Sequence, residues 1–424
     1  MRYTFTTYNL GCKVNAYELS AISSLLIARG YEEDANNPDV VIINTCSVTA
    51  TADQKSRQHI RKMQKLFPNA VIAVMGCYSQ GNYEFIKDEI KPTILLGTSH
   101  RKDVVNLIEK ALKEKETYCL IDENTRNFEY EELGITSYSE NVRAFLKIQD
   151  GCNNFCTYCI VPYRRGKMRS RSKENVLKEA EYLVKQGYQE IVLSGIHVGG
   201  YGQDLKDCSF SSLVEELTNI RGLKSLRISS IEESEIDDKL IELIKDKDNL
   251  AKHLHIPLQA GSNHVLKMMN RKYTREQFVE KIKRIKTAMP DVMISGDVIV
   301  GFPQESEEDF LDTYKLCEEC FDMLHVFPYS MRPGTAAARM DGQISPDVKK
   351  QRSKVLLELS DKLYIKFANK FIGQNITVLV EKYDKQKGVN IGHTSNYLSV
   401  EIPLKESKVG QFITIKLQKD MIAS

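Results

Sequence analysis

The sequence has 424 residues, 42% of them hydrophobic and 27% charged, with a formal net charge of +2 at pH 7. A chain of this size can form two or three domains, and its near-neutral charge excludes a strong overall field for nucleic acid, so any RNA binding must come from local patches. No stretch approaches the roughly eighteen apolar residues of a membrane span, and no signal-peptide pattern is present. The sequence contains 10 cysteines. In such a chain they favour reduced thiols for metal binding or catalysis over disulfides. We therefore expect a cytoplasmic metalloprotein with no membrane segment.

The first part of the chain, residues 1–115, alternates short apolar runs with amphipathic stretches. This pattern predicts a doubly wound α/β domain with a parallel sheet. We predict strands at 3–10, 40–43, 70–75 and 93–96, and helices at 16–29, 53–66 and 83–90. The next segment, 116–142, is acidic and rich in turn residues, and it is predicted to be a linker.

A second alternating series begins at residue 143 and contains six βα units. We predict its strands at 144–149, 190–196, 225–231, 253–259, 293–300 and 323–329. Six units are too few for a closed eight-fold barrel, so residues 143–345 are predicted to form a partial (β/α)6 barrel. One connecting helix, 346–371, follows it. Residues 372–424 change to period-two, β-branched patterning, which predicts a small antiparallel β-barrel.

Three cysteines directly after the first predicted barrel strand give the strongest local signal. Cys152, Cys156 and Cys159 are spaced as Cys-x3-Cys-x2-Cys. A four-iron cluster held by three thiolates keeps one iron open for a substrate. A structural zinc site is the main alternative, but it needs four ligands and the loop offers no fourth cysteine or histidine. The other alternative is that these cysteines bind no metal and only contribute to packing. Three cysteines in one short loop argue against that alternative.

Three further cysteines, Cys12, Cys46 and Cys77, lie far apart in the sequence, yet each follows a predicted parallel strand. The carboxyl ends of such strands meet at one edge of a doubly wound sheet, which is where these folds place ligands. Each cysteine taken alone is typical of a small buried residue. Their identical placement nevertheless predicts a second metal site.

Together these motifs resemble the radical S-adenosylmethionine methylthiotransferase family. The Cys152 loop, with an aromatic residue before its last cysteine, resembles the radical S-adenosylmethionine superfamily. Gly11-Cys-Lys-Val-Asn15, Asn44-Thr-Cys46 and Gly76-Cys-Tyr-Ser-Gln80 resemble the N-terminal domain of its methylthiotransferases, and the C-terminal part resembles their RNA-binding TRAM domain. Gly-Cys-Lys-Val-Asn is similar to the threonylcarbamoyl-adenosine branch, whereas the isopentenyl-adenosine branch has Gly-Cys-Gln-Met-Asn and the ribosomal-protein branch Gly-Cys-Pro-Lys-Asn.

The resemblance implies an enzyme that converts threonylcarbamoyl-adenosine next to the tRNA anticodon to its 2-methylthio derivative. It implies two 4Fe–4S clusters and S-adenosylmethionine as cofactors. Cys152, Cys156 and Cys159, here called the radical trio, would hold the catalytic cluster that cleaves S-adenosylmethionine. Cys12, Cys46 and Cys77, here called the auxiliary trio, would hold the cluster that donates sulfur. The implied partners are the tRNA substrate and an electron donor such as flavodoxin or ferredoxin.

Two alternatives stay open at this point. A methylthiotransferase could act on isopentenyl-adenosine in tRNA, or on an aspartate of a ribosomal protein. A protein of another class, a metal-stabilised RNA-binding protein without enzymatic activity, would contain zinc and no sulfide.

Further candidates lie at the carboxyl ends of the predicted barrel strands, where catalytic groups of such barrels are found. By resemblance, one set of residues would contact the cofactor or substrate: Ser194, Gly195, Gly199, Ser229, Gln259, Asp297 and Gly301. We expect His197, His253 and His255 to be hydrogen-bonded structural histidines. The pair Cys317 and Cys320 lies in a predicted helix without a partner cysteine nearby, so we expect it to be structural.

A run of five cations in nine positions follows the radical trio, namely Arg164, Arg165, Lys167, Arg169 and Arg171. Because arginine pairs bidentately with phosphate, this run is predicted to bind the RNA around the target base. A solvated charged face is the alternative. Residues 366–420 contain nine lysines and five acidic residues, which suits sequence-tolerant RNA binding by the C-terminal part.

Overall fold

The computed structural model describes residues 2–134 and 142–423, so residues 135–141 of the predicted linker lie outside the described part. The N-terminal part is a six-stranded parallel sheet in the order β2-β1-β3-β4-β5-β6. Its elements are β1 (Thr4–Asn9), α1 (Lys13–Ala28), β2 (Glu32–Glu33), β3 (Val40–Thr45), α2 (Ala50–Leu66), β4 (Val71–Gly76), α3 (Cys77–Gly81), α4 (Tyr83–Phe85), β5 (Ile94–Leu96), α5 (Val104–Glu114) and β6 (Tyr118–Leu120). The predicted doubly wound α/β fold is confirmed.

Helices cover both faces of this sheet. Every residue of β3 and β4 is buried, as expected for parallel strands with helices on each side. Val40 and Ile42 belong to the core on one face, whereas Val41 and Ile43 belong to the core on the other. Strand β6 pairs with β5 and lies inside the segment predicted as a linker. This strand has only three residues, which is too short for a periodic pattern to indicate it.

The central part contains six parallel barrel strands in the order β7-β10-β11-β12-β13-β14. Hydrogen-bonded pairing joins them in two groups of three, and isolated bridges between β11 and the β12 region link the groups. The barrel strands are β7 (Arg143–Lys147), β10 (Glu190–Ser194), β11 (Ser225–Ile228), β12 (His253–His255), β13 (Met293–Val300) and β14 (Met323–Pro328). Two short strands, β8 (Gln149–Asp150) and β9 (Arg169–Ser170), form a separate antiparallel pair. The predicted partial (β/α)6 barrel is confirmed.

The barrel helices lie outside the strands. They are α7 (Lys173–Lys185), α8 (Phe210–Thr218), α9 (Asp238–Asp246), α10 (Asn263–Met268), α11 (Arg275–Ala288), α12 (Glu307–Cys320) and α13 (Pro346–Ala368), whereas the short α6 (Val161–Arg165) contacts α3 of the N-terminal part. Helix α11 begins at a capping box, in which the Thr274 hydroxyl accepts from the Gln277 amide and the Gln277 side chain accepts from the Thr274 amide. Across the described ranges, we find no helix that is long and apolar enough to cross a bilayer.

The C-terminal part is a four-stranded antiparallel sheet in the order β17-β16-β15-β18. Its strands are β15 (Asn375–Asp384), β16 (Val389–Thr394), β17 (Ser399–Ile402) and β18 (Phe412–Lys416). A bridge between Val400 and Ile422 brings the last residues back over β17. Phe367 and Phe371, at the end of α13, pack into the core of this sheet.

The three parts pack against one another around the barrel. Tyr17 and Ala21 of α1 belong to the barrel core. Arg332, after β14, donates to Ser47 Oγ at 2.9 Å and pairs with Asp53 at 2.7 Å, which ties the barrel to the loop after β3. The N-terminal sheet therefore presents its carboxyl edge to the barrel.

Candidate active site

The radical trio lies on a loop between two short paired strands. Strands β8 and β9 join its ends, and the Cys152 amide donates to the Gly166 carbonyl at 3.1 Å. Gly151, at the start of the loop, has φ +71°, and a Cβ there would overlap the Lys167 carbonyl. Only glycine fits this position without strain. The local sequence thus closes the loop around its cysteines.

All three cysteines of the radical trio line one cavity of about 220 Å³. Gln259 and Asp297, predicted to contact the cofactor, line the same cavity. Burial alone would raise the pKa of Asp297, but hydrogen bonds and charges from His255 and His325 lower it well below its usual range. The cavity therefore combines three sulfurs with an ionised carboxylate.

The spacing of the sulfurs does not match a single zinc ion. A tetrahedral zinc with Zn–S bonds of about 2.3 Å needs sulfurs about 3.8 Å apart. Within residues 2–134 and 142–423, no three cysteine sulfurs lie within 4.8 Å of one another. Burial, reinforced by the charges of Cys156 and Cys152, raises the pKa of Cys159 to about 12. Binding to a metal favours the ionised form of such a thiol, and three cysteines on one loop are a donor set that suits a metal cluster.

Arg271 is a neighbour of the radical trio that the sequence did not reveal. Its Nη1 lies 3.6 Å from Cys156 Sγ, and its guanidinium pairs with Glu232. Hydrogen bonds to ligating sulfurs tune the potential of a cluster. No motif marks Arg271, because its contact with Cys156 joins residues more than a hundred positions apart.

His197 also contacts the radical trio. Its Nε2 lies 2.6 Å from Glu235 Oε1, close enough for an ion pair although the angle is not that of a directed hydrogen bond. Burial would lower the pKa of His197, but the nearby Cys152 and Glu235 side chains outweigh burial and raise the pKa to about 10. His253 and His255 each bond to Ser295.

The auxiliary trio meets at the carboxyl edge of the N-terminal sheet. Cys12 precedes α1, Cys46 follows β3 and Cys77 begins α3. The strand order reverses between β1 and β3, and this switch point is where doubly wound sheets bind ligands. Burial, opposed by Arg165 and reinforced by the charges of Cys12 and Cys46, raises the pKa of Cys77 to about 11. The three cysteines therefore lie within electrostatic range of one another, as a shared metal site requires.

Polar residues of the same motifs hold the auxiliary trio in place. The Cys12 thiol donates to Asn15 Oδ1 at 3.2 Å, and Asn15 Nδ2 donates to Asn44 Oδ1 at 2.6 Å. Gly76 has φ +106°, and a Cβ there would overlap Asn44 and the Thr45 carbonyl. The asparagines and glycines around the cysteines thus serve to bring three chain segments together.

Arg165 connects the auxiliary trio to the barrel. Its Nε donates to Cys77 Sγ at 3.2 Å, and its Nη1 lies 2.8 Å from Glu18 Oε1 and 3.2 Å from Asp150 Oδ1. These contacts belong to a cluster of paired charges, here called the buried ion network: Glu18, Arg101, Glu131, Lys147, Asp150, Arg165 and Arg169. The network spans the interface between the N-terminal sheet and the barrel.

The prediction that all five cations after the radical trio bind RNA needs correction. Arg165, Arg169 and Arg171 are buried. Arg169 pairs with Asp150 at 3.1 Å, and Arg171 pairs with Glu179 at 2.7 Å. Because distant acidic residues neutralise these arginines, they cannot reach RNA phosphates. A local count of charges could not reveal this, since the partners come from other segments.

The other two cations of the run remain candidates for RNA contact. Lys167 is exposed, and Arg164 is half-buried. The Arg164 guanidinium packs against Gly81, where a Cβ would overlap it. Burial lowers the pKa of Arg164. Lys167 is thus the more accessible of the two.

Three of the remaining predicted cofactor residues lie in a second cavity near the radical trio. Ser194, Gly195 and Ser229 line a larger cavity of about 430 Å³, which also contains Cys12 of the auxiliary trio. Ser230 lines both this cavity and that of the radical trio, so the two adjoin. The structure thus places a cavity lined by Cys12 next to the cavity of the radical trio, with Ser230 in the lining of both.

Gly199 and Gly301 lie outside these two cavities. Gly199 borders a neighbouring pocket that contains Cys156 and Arg271. The prediction that Gly301 contacts the cofactor is corrected, because its φ is +70° and its amide donates to Glu305 Oε2 at 2.6 Å in a buried turn. This glycine serves the turn after β13.

Cys317 and Cys320 are buried in the barrel core, as predicted for structural cysteines. Burial raises the pKa of Cys320 to about 12.

Comparisons with known proteins agree with this arrangement. Residues 146–317 match the model of the radical SAM superfamily, and residues 3–97 match an uncharacterized protein family, UPF0004. The chain is 44% identical over 423 residues to the threonylcarbamoyladenosine tRNA methylthiotransferase MtaB of Bacillus subtilis, covering 98% of this chain and 94% of that protein.

Two further relatives match nearly the whole chain. MtaB of Aquifex aeolicus is 36% identical, with 95% of this chain and 96% of that protein covered. The tRNA-2-methylthio-N(6)-dimethylallyladenosine synthase of Thermoanaerobacter pseudethanolicus is 37% identical, with 98% and 90% covered. Among solved structures, the radical S-adenosylmethionine methyltransferase TsrM of Kitasatospora setae matches with a TM-score of 0.61 at 15% identity, over 80% of this chain and 75% of that chain.

Proposed function

Since this chain belongs to the radical S-adenosylmethionine methylthiotransferase family, we propose that it inserts a methylthio group at carbon 2 of threonylcarbamoyl-adenosine next to the tRNA anticodon. The observation that carries the proposal is the pair of adjoining cavities, one lined by Cys12 and the other by the radical trio, with Ser230 in the lining of both. A base bound at their junction would lie beside cysteines of both trios. The 44% identity to a threonylcarbamoyladenosine enzyme supports the choice of nucleoside.

The radical trio would hold one 4Fe–4S cluster with S-adenosylmethionine, and the auxiliary trio would hold the other. When bound, these groups supply the electron, the radical chemistry, the sulfur and the methyl group. The residues around them have separate tasks. Gln259 and Asp297 present polar groups to the cofactor, whereas Arg165 and Arg271 donate hydrogen bonds to cysteine sulfurs.

Two clusters suit a reaction with two separate parts. Cleaving the cofactor and donating sulfur are different steps, and each trio would provide the cluster for one of them. An electron donor such as flavodoxin or ferredoxin would reduce the radical cluster. The exposed Lys167 and the exposed lysines of the C-terminal sheet, including Lys382, Lys385 and Lys405, would bind the tRNA backbone.

Replacing one cysteine of each trio tests this division. The two variants are Cys156→Ala and Cys46→Ala, with Cys119→Ala as a control because Cys119 is exposed and belongs to neither trio. Two 4Fe–4S clusters give about eight irons per chain, and each trio variant should retain about four. Cys156→Ala should lose cleavage of S-adenosylmethionine, whereas Cys46→Ala should still cleave it and make no methylthio product.

Anaerobic iron and sulfide counting, deoxyadenosine formation and mass spectrometry of tRNA nucleosides provide the measurements. Equal cofactor cleavage by both trio variants and the wild type would contradict the division of tasks. Zinc without sulfide would favour a non-enzymatic RNA-binding protein. A methylthio group on isopentenyl-adenosine in place of threonylcarbamoyl-adenosine would reassign the substrate.

A further inference from the structure

The larger cavity between the trios carries an unusual set of charges. Its charged lining residues are Lys13, Arg143 and Arg227, and among the described residues that line it there is no aspartate or glutamate. Its volume of about 430 Å³ lies in the range that suits a nucleoside-sized ligand. Cys12 belongs to the same lining, so a ligand in this cavity lies beside the auxiliary trio. The cavity is therefore cationic where the substrate base must lie.

Both arginines of the cavity already have carboxylate partners. Arg227 Nη2 lies 3.0 Å from Glu190 Oε2. Arg143 lies 2.9 Å from Glu381 and 3.7 Å from Glu190. Arg227 also donates to the backbone carbonyls of Thr394 and Ser395. Its Cζ lies 5.0 Å from the centre of the Tyr397 ring. The arginines therefore serve to join the barrel floor to the C-terminal sheet.

Lys13 differs from the arginines because, in the described part of the chain, its ammonium group forms no ion pair. The positive charges of Arg143 and Arg227 lie near it and are opposed by Glu190 and Cys12. The Lys13 side chain is exposed and lines the cavity. An ammonium group placed in this way is available to pair with an anionic ligand.

We propose that Lys13 binds the carboxylate of the threonylcarbamoyl group and so selects this nucleoside over adenosines whose N6 substituent is uncharged. The inference rests on the proposed function and names the residue that reads the substrate. The threonylcarbamoyl group carries one carboxylate, which can pair with the Lys13 ammonium group. The apolar lining of Val14, Phe145 and Val192 offers a wall for the purine, and the hydroxyl of Ser229 can bond to the carbamoyl group.

Binding measurements with three anticodon stem-loops test the proposal. The stem-loops differ only at one adenosine, which carries threonylcarbamoyl, its methyl ester, or no modification. Dissociation constants are measured anaerobically by fluorescence anisotropy on the cluster-loaded protein. A hydrogen bond between charged groups corresponds to roughly a 10-fold to 100-fold effect. The wild type should prefer the free carboxylate over the ester by at least about 10-fold.

Variants of Lys13 then identify the partner of that carboxylate. Lys13→Met should lose the preference for the free acid over the ester, and Lys13→Arg should keep most of it. Lys113→Met is the matched control, because Lys113 is an exposed lysine of the N-terminal sheet domain. Since Lys13 follows Cys12, iron and sulfide are counted in each variant. Should Lys13→Met lose iron, Lys13→Gln replaces it as the variant without the charge, and equal wild-type binding of acid and ester still overturns the inference.

Each outcome has one meaning. Equal wild-type binding of acid and ester overturns the inference, and so does equal weakening of all three stem-loops by Lys13→Met, which would assign Lys13 to a backbone phosphate. If the wild type makes 2-methylthio-threonylcarbamoyl-adenosine while the preference is absent, only this inference fails. If it modifies isopentenyl-adenosine instead, the proposed function itself fails.

Discussion

Removing the charge of Glu18 should destabilise the joint between the N-terminal sheet and the barrel. Glu18 is completely buried, and its Oε1 lies 2.5 Å from Arg101 Nη1, 2.9 Å from Lys147 Nζ and 2.8 Å from Arg165 Nη1. Glu18→Gln keeps the shape of the side chain but leaves these three cations without their shared carboxylate. Breaking a buried ion pair by changing one partner costs about 3–5 kcal/mol.

Urea unfolding of the cluster-free protein measures this cost. With a slope of about 3 kcal/mol per molar urea, the midpoint should fall by about 1–2 M in Glu18→Gln. The matched control is Glu32→Gln, which makes the same chemical change in an exposed pair with Arg2 at 2.6 Å. An exposed pair contributes about 0–1 kcal/mol to stability, so the urea midpoint of the control should change little. Similar midpoints for the two variants would refute the assignment of structural importance to the buried ion network.

Three further predictions follow from the packing and charges of single residues. Gly76→Ala should reduce the iron content from about eight to about four per chain, because a Cβ at φ +106° overlaps Asn44, whereas Gly30→Ala, with open space around it, should keep all the iron. Cys317→Ala should cost about 1–2 kcal/mol of unfolding free energy without changing iron content, since Cys317 is buried in the barrel core. The last prediction concerns the stability of the protein in acid. Burial would raise the pKa of Glu18, but Arg101, Arg165 and Lys147 lower it well below its usual range. The stabilising contribution of Glu18 is therefore complete above the unfolded pKa of about 4 and is lost as the pH falls through the folded pKa. Stability measured against pH should therefore decline below about pH 4, and less steeply in Glu18→Gln.

Much of the fold could be predicted because it depends on local periodicity. The strand at Met293–Val300 has the predicted bounds, and the all-apolar run at Val40 is a fully buried parallel strand. The placement of Cys12, Cys46 and Cys77 could be predicted for a related reason. Parallel strands end at a common edge, so topology alone brings their following residues together.

Contacts between distant segments could not be predicted in the same way. The run from Arg164 to Arg171 looks like an RNA-binding surface in sequence, because its acidic partners Glu18 and Glu179 come from other helices. The contact of Arg271 with Cys156 has the same origin. Side-chain pairing across domains depends on three-dimensional packing, for which a single sequence carries no periodic signal.

The position of the buried ion network suggests why charged residues fill an interface that apolar residues could also fill. Apolar burial is non-directional, whereas charged hydrogen bonds fix both distance and angle. Glu18 lies six residues after Cys12, and Asp150 lies two residues before Cys152. Arg165 contacts both carboxylates and also Cys77. One guanidinium therefore sets the position of the auxiliary trio relative to the loop of the radical trio. The proposed function requires the two cluster sites to keep a fixed relative position, because a displacement of about 1 Å can cost about 100-fold in rate.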